Sequence, residues 1–210
     1  MRLELHRGFG TIIWRFGLKK MSNVVVFIGS HGTGKTTLVN AVKETVEKQG
    51  RNSAVVSEVP RVVCELADDA HFFRRDRNSL AKQFVLLVGQ PIFEHLNCSE
   101  SDFVFCDRSL LDHWAYTKQA FADELEQEGL IPVVEHFIIE HFRSYDFVFY
   151  VPIEFPPEDD GVREDSLKFQ KEIDLQIKEL LGKFDVNYET VSGNVEERVQ
   201  SVVDLILKRG

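Results

Sequence analysis

The chain has 210 residues, a length that fits one α/β domain and leaves little room for a second independent core. Apolar residues make up 43% and charged residues 28%, which excludes a disordered, collagen-like or disulfide-scaffold protein. A net charge of −9 opposes non-specific attraction to duplex DNA, and apolar runs such as 103–106 and 147–151 fall far short of the roughly 20 residues that a membrane-spanning helix needs.

Three cysteines, Cys64, Cys98 and Cys106, form no Cys-x-x-Cys pair, so neither a disulfide framework nor a zinc knuckle is expected and a reducing, cytoplasmic setting is the default. Residues 1–20 carry a local charge of +4, opposite in sign to the rest of the chain. Phe9, Ile12, Ile13, Trp14 and Phe16 among those cations suit a membrane-surface or targeting segment, whereas Gly8, Gly10 and Gly17 oppose a stable helix. The simpler reading is a disordered extension, or an upstream start, ahead of a domain over 21–210.

The run Val-Val-Val-Phe-Ile at 24–28 is continuous and β-branched, as expected of a strand covered on both faces. Gly29-Ser30-His31-Gly32-Thr33-Gly34-Lys35-Thr36 follows directly and matches G-x-x-x-x-G-K-[ST] at every fixed position, with an amphipathic helix pattern continuing from Thr37. Phosphate oxygens need many donors at close range. Glycines clear the backbone that supplies those donors, and the loop amides with the positive end of the next helix surround the phosphates. The motif therefore assigns residues 29–37, Thr37 included, to ATP binding, Lys35 to the β- and γ-phosphates, and Thr36 to Mg²⁺. His31 reads as a loop residue contributing an amide rather than as a catalytic base.

Further strand patterns fall at 54–57, 103–106, 147–151 and 188–191, and helix patterns at 37–47, 79–96, 110–120, 132–142, 165–181 and 195–208. This alternation predicts βαβ units, hence a five-stranded parallel sheet flanked by helices in three layers. Ligands of such sheets collect beyond the carboxyl ends of the strands. Ser57-Glu58-Val59-Pro60-Arg61 brings Glu58 there, either as a general base or hydroxyl-binding group or as a helix cap paired with Arg61. Cys106-Asp107-Arg108-Ser109 brings Asp107, which can hold Mg²⁺ through water or orient an acceptor, and Arg108, whose planar fork suits phosphate oxygens; a surface ion pair is the plainer alternative.

The polar, turn-rich stretch 156–163 reads either as a lid that delivers Arg163 to the triphosphate or as a charged surface turn. Phe72 and Phe73 beside Arg74, Arg75 and Arg77 read as a solvated connection with the aromatics tucked inward, or as a contact for an anionic acceptor, a nucleic-acid end or a membrane headgroup. Trp114 and Tyr116 either flank a base or pack inward. The helix pattern at 132–142 fits a dimer face or the domain core, so oligomeric state stays open.

Residues 29–37, 57–61, 106–109, 160–163 and 192–194 together resemble P-loop kinases of the nucleoside and nucleotide kinase group, particularly the NadR-like family that includes nicotinamide riboside kinase domains. The resemblance extends over 24–207 and implies the P-loop NTPase fold and binding of ATP, to which the motif and the strand-end carboxylate add Thr36 and Asp107 as the candidate Mg²⁺ ligands. It also implies that Gly193, in the Ser192–Asn194 turn, borders the adenine, that Glu58 lies near the acceptor sugar, and that Arg163 is a lid arginine. Asp107-Arg108 with Ala115-Tyr116 downstream is similar to the Asp-Arg segment of thymidylate kinases, which implies contact between Arg108 and an acceptor phosphate. The expected function is a kinase for a nucleoside, nucleotide or related small acceptor. A regulatory nucleotide switch and a kinase of a nucleic-acid end or modified base are the alternatives, the latter disfavoured by the overall charge. No Asn-Lys-x-Asp guanine-reading segment is present.

Overall fold

A computed structural model describes residues 22–73, 78–98, 101–154 and 164–209; the expectations for residues 1–20, for Arg74, Arg75 and Arg77, and for Arg163 fall outside them. Strand β1 (Asn23–Ile28) is the centre of a five-stranded sheet that also contains β2 (Ser53–Val56), β3 (Phe103–Asp107), β4 (Phe147–Tyr150) and β5 (Glu189–Thr190), in the order β2-β3-β1-β4-β5. Every neighbouring pair is parallel, as the alternating patterns predict.

Side chains of β1 alternate between two cores, which makes three layers. Val25 and Phe27 face α1 (Lys35–Lys48) and α7 (Val195–Arg209), meeting Leu38, Val42, Val202 and Ile206. Phenylalanines pave this face, with Phe27 and Phe149 stacked at 5.5 Å between ring centroids and Phe103 and Phe105 at 5.9 Å. Val24, Val26 and Ile28 face the opposite core, formed with α3 (Leu80–Asn97), α4 (Leu110–Gln127), α5 (Ile131–Phe142) and α6 (Glu164–Lys183). Trp114 is fully buried there, and Val134 and Ile138 bring α5 into the same core.

Several elements differ from expectation. Helix α2 (Val59–Leu66) is a separate element: Pro60 in its first turn has the backbone angle a helix start needs, and Val59 packs where Gly89 of α3 has no side chain, its Cγ1 only 3.2 Å from where a Cβ would sit. Helix α4 continues past residue 120 through a break at Phe121 (φ −138°, ψ 30°), held to the core by buried Leu125. Phe72 and Phe73 are half-buried and packed edge to face at 4.9 Å rather than sunk in the core. Among the described residues no helix is long and apolar enough to cross a membrane.

From β1 the chain moves outward to β2, returns to β3 beside β1, and then crosses to β4 on the other side of β1. The carboxyl ends of β1 and β3 therefore flank the crevice where connections depart in opposite directions, the place such sheets reserve for ligands. The register pairs Phe27 with Asp107, so both strands end at the same level.

Candidate functional site

The loop after β1 packs too closely for side chains. A Cβ on Gly29 would lie 2.5 Å from the carbonyl oxygen of Val151, and Gly34 caps α1 with a left-handed backbone at φ +84°. Lys35 is only 5% exposed, and its Nζ donates to the Ser30 carbonyl at 2.5 Å and to Thr33 Oγ1 at 3.3 Å. Burial, with the nearby Arg108 charge, brings its pKa down to about 8 despite the carboxylates of Asp112, Asp107 and Glu58. Ser30 Oγ is buried and has no protein hydrogen-bond partner. The His31 amide donates to the Tyr116 hydroxyl at 3.0 Å, and the His31 carbonyl accepts from Gln170 Nε2 at 2.6 Å. Gly32, Thr36 and Thr37 lie on the exposed side of the loop and of the first turn of α1.

The end of β3 sends its two charged residues to different partners. Asp107 Oδ2 accepts from Thr36 Oγ1 at 2.5 Å, so a carboxylate and a hydroxyl meet across the crevice. Arg108 adopts φ +94°, a region costly for a side chain of this size, while its amide donates to the Phe27 carbonyl at 3.2 Å. Its Nε donates to Glu58 Oε1 at 2.6 Å, and its guanidinium lies 5.3 Å from the centroid of the Tyr116 ring. Glu58 is also the N-cap residue of α2, where its side chain makes no capping hydrogen bond, and Arg61 Nε lies 3.2 Å from its Oε2. Burial pushes its carboxyl up, but the charges of Arg108, Arg61 and Lys35 outweigh this and hold it below the usual range. Burial works against the Arg108 charge too, and the surroundings, Tyr116, Glu58 and Asp112 first among them, more than compensate.

Asp112, which the sequence reading passed over, ties these parts together. Its Oδ1 accepts from the Gly29 amide at 2.9 Å, and its Oδ2 accepts from the Ser109 amide and hydroxyl, each at 2.8 Å. Burial raises its pKa, opposed by Lys35 and Arg108. The Ser109-x-x-Asp112 spacing is that of a capping box, a signal visible in the sequence. Gly193 joins the loop through Arg198, also unforeseen: Arg198 Nε donates to the Gly193 carbonyl at 2.8 Å, Nη1 to the Thr33 carbonyl at 2.9 Å, and Nη2 to Glu154 Oε2 at 2.6 Å.

A cavity of about 620 Å³ opens beside the loop. Glu58 and Arg108 form one wall and His31 another, while Tyr116, Phe73 and Phe169 give it flat apolar surfaces. Tyr116 thus borders a cavity whereas Trp114 packs inward. Of the residues singled out from sequence, Lys35, Thr36, Glu58, Asp107 and Arg108 converge on this crevice.

A family model described as an AAA domain, AAA_28, matches residues 24–198. No curated protein sequence matches the chain significantly. The fold is similar to that of a NadR protein in complex with NR (TM-score 0.69, 20% identity, 90% of this chain and 51% of that one). It is similar also to a NadR protein in complex with NAD and AMP-PNP (TM-score 0.67, 20% identity, 90% and 49%). A thymidylate kinase from Ehrlichia chaffeensis is similar over 88% of this chain and 98% of its own (TM-score 0.58, 14% identity). The chain spans about half the length of the NadR chains. With most of its length matched, the chain belongs to the AAA_28 family of AAA domains.

Proposed function

We propose that the protein is an ATP- and Mg²⁺-dependent kinase that transfers the γ-phosphoryl group to a hydroxyl of an unphosphorylated small molecule of the nucleoside type. The observation that carries this reading is the Glu58–Arg108 pair, closed at 2.6 Å on the wall of an aromatic-lined cavity beside the glycine loop. The fold is similar to that of NadR proteins, one seen in complex with NAD and AMP-PNP and another in complex with NR, and that likeness supports the reading of ATP as donor and a nucleoside-type acceptor.

On the donor side, the amides of the loop and the N-terminus of α1 surround the phosphates, and Lys35 turns from the Ser30 carbonyl to the β- and γ-oxygens. Thr36 Oγ1 and Asp107 Oδ2 are hard oxygen donors already side by side, the type and number that Mg²⁺ takes from protein when phosphates and water supply the rest. Bound there, Mg²⁺ neutralises charge on the phosphates.

On the acceptor side, Glu58 is a weak base because Arg108 stabilises its ionised form. Its work is to accept a hydrogen bond from the attacking hydroxyl and aim it, which suffices for a loose phosphoryl transition state. Arg108 lines the cavity with its Nε committed to Glu58. Glu58, an ionised carboxylate held between Arg108 and Arg61, accepts a hydrogen bond from a hydroxyl and repels a phosphate, which favours a hydroxyl acceptor over a monophosphate.

The test is ADP release from Mg-ATP with nucleosides, nicotinamide riboside, nucleoside monophosphates and short oligonucleotides, with Lys35→Ala as the blank. The expected result is turnover stimulated by an unphosphorylated nucleoside, lost in Lys35→Ala, and lowered about 10²-fold in kcat/KM by Glu58→Gln with ATP affinity unchanged. Stimulation only by monophosphates would overturn the acceptor class. ATP binding without stimulation by any acceptor would replace the kinase reading with a regulatory one.

A further inference from the structure

Arg108 holds a backbone conformation that its own residue type disfavours, so something outside the turn must keep it there. Helix α3 supplies a buried contact suited to this. Gln90, 0% exposed, donates from Nε2 to the Arg108 carbonyl at 3.1 Å and to Glu94 Oε1 at 2.7 Å, and its Oε1 lies 3.2 Å from His113 Nε2. Only one orientation of the amide serves all three contacts: both acceptors face the nitrogen, and the imidazole N–H faces the oxygen. Burial and the Arg108 charge bring the His113 pKa down to about 3, so the ring stays neutral and the orientation does not change with ordinary pH.

Glu94 anchors the other end. Its Oε1 also accepts from the Tyr145 hydroxyl at 2.9 Å, and its Oε2 pairs with His141 Nε2 at 2.6 Å. A continuous set of buried contacts thus runs from the end of α5 through α3 to the carbonyl of the residue that faces the cavity. The remaining fixed points of the turn, the Phe27 carbonyl and Asp112, hold residues 108 and 109 through their amides and the Ser109 hydroxyl. Gln90 is the side chain that grips the Arg108 carbonyl, and the orientation of that peptide directs the guanidinium toward Glu58.

We propose that Gln90 is a positioning residue, which holds the Arg108 peptide in its strained conformation and thereby sets the Glu58–Arg108 pair against the acceptor cavity. The consequence for turnover rests on the kinase reading above; the consequence for Arg108 does not. Gln90→Met keeps the length of the side chain and removes both donors and the acceptor.

Two measurements test the proposal. The first is hydrogen exchange of the Arg108 Nε–H in ¹⁵N-labelled protein, assigned by its absence in Arg108→Lys; Gln90→Met is expected to speed this exchange at least tenfold. The second is steady-state kinetics, in which kcat/KM for the acceptor falls about 10²-fold while ATP affinity stays unchanged. Ile92→Gln, on the exposed side of the same helix, changes neither. Unchanged Arg108 exchange overturns the proposal whatever the kinetics, as does a loss of ATP affinity equal to the loss of turnover. Should wild-type protein show no acceptor-dependent turnover, the kinase reading fails and the exchange measurement still decides for Gln90. If Gln90→Met does not fold, Gln90→Asn, which withdraws the same amide by one methylene, is measured against the same two outcomes.

Discussion

Lys35 is held in a buried pocket, and on the kinase reading proposed above that has a measurable consequence. Its pKa of about 8 should rise when a triphosphate binds beside it, because an adjacent negative charge favours the ammonium form. At pH 8, binding of ATP should therefore take up about half a proton at this residue, and affinity should fall as pH rises through 8, approaching about tenfold per unit above it. Calorimetry in buffers of different ionisation enthalpy measures the uptake; a value of zero that Lys35→Met leaves unchanged would refute it. Lys35, Gly34 and Gly29 were legible in the sequence because they hold fixed positions of one local motif, although the close approach that crowds Gly29 comes from Val151, far along the chain. Gln90, His113 and Arg198 were not, because each meets its partner 18, 23 or 165 residues away along the chain. Asp112 falls between these cases. Its capping box was visible, but its hold on Gly29 depends on where α4 meets β1.

The elements were legible where hydrophobic period and length agreed, as in β1, α1 and α7, and less so where tertiary contact overrides pattern. Helix α2 needs Gly89 of another helix to make room for Val59, and the final turns of α4 are held by Leu125 beyond a break that local pattern read as an end. The strand expected at 188–191 shrinks to Glu189–Thr190, the two residues that pair with β4 at the sheet edge. Two glycines separate backbone demand from simple permissiveness. Gly29→Ala forces a methyl onto the Val151 carbonyl and is expected to cost about 1–3 kcal/mol, since neither strand end can retreat without disturbing the sheet. Gly182→Ala, near the end of α6 with nothing within 4 Å of the new methyl, is expected to add about 0.5–1 kcal/mol. Urea unfolding of the two variants measures both signs, and equal effects would show that loop crowding does not constrain Gly29.

At the scale of the molecule, the parallel sheet and its helix-covered faces were predicted from the alternation of patterns, whereas the strand order was not. Which side of β1 a returning strand takes depends on how helices pack after the chain has crossed over, and no local period encodes that. The resulting order makes β1 the shared wall of two cores, with Val25 and Phe27 in one and Val24, Val26 and Ile28 in the other. A residue lost from either core should loosen β1 and, through it, the opposite face. Leu111→Ala on the α4 side and Ile206→Ala on the α7 side, both at fully buried positions, are each expected to cost about 2–5 kcal/mol. For a chain of this size that lowers Tm by about 4–20 °C, in one cooperative transition for each variant. Calorimetry with the amide NMR signals of Leu38 and Leu110 followed against temperature distinguishes the outcomes, because Leu38 lies in one core and Leu110 in the other. Coincident transitions at both probes would mean that the glycine loop at the end of β1 is held by both cores at once. Separate transitions would mean that one face can melt while the other keeps the crevice closed, and the shared-wall account would then be wrong.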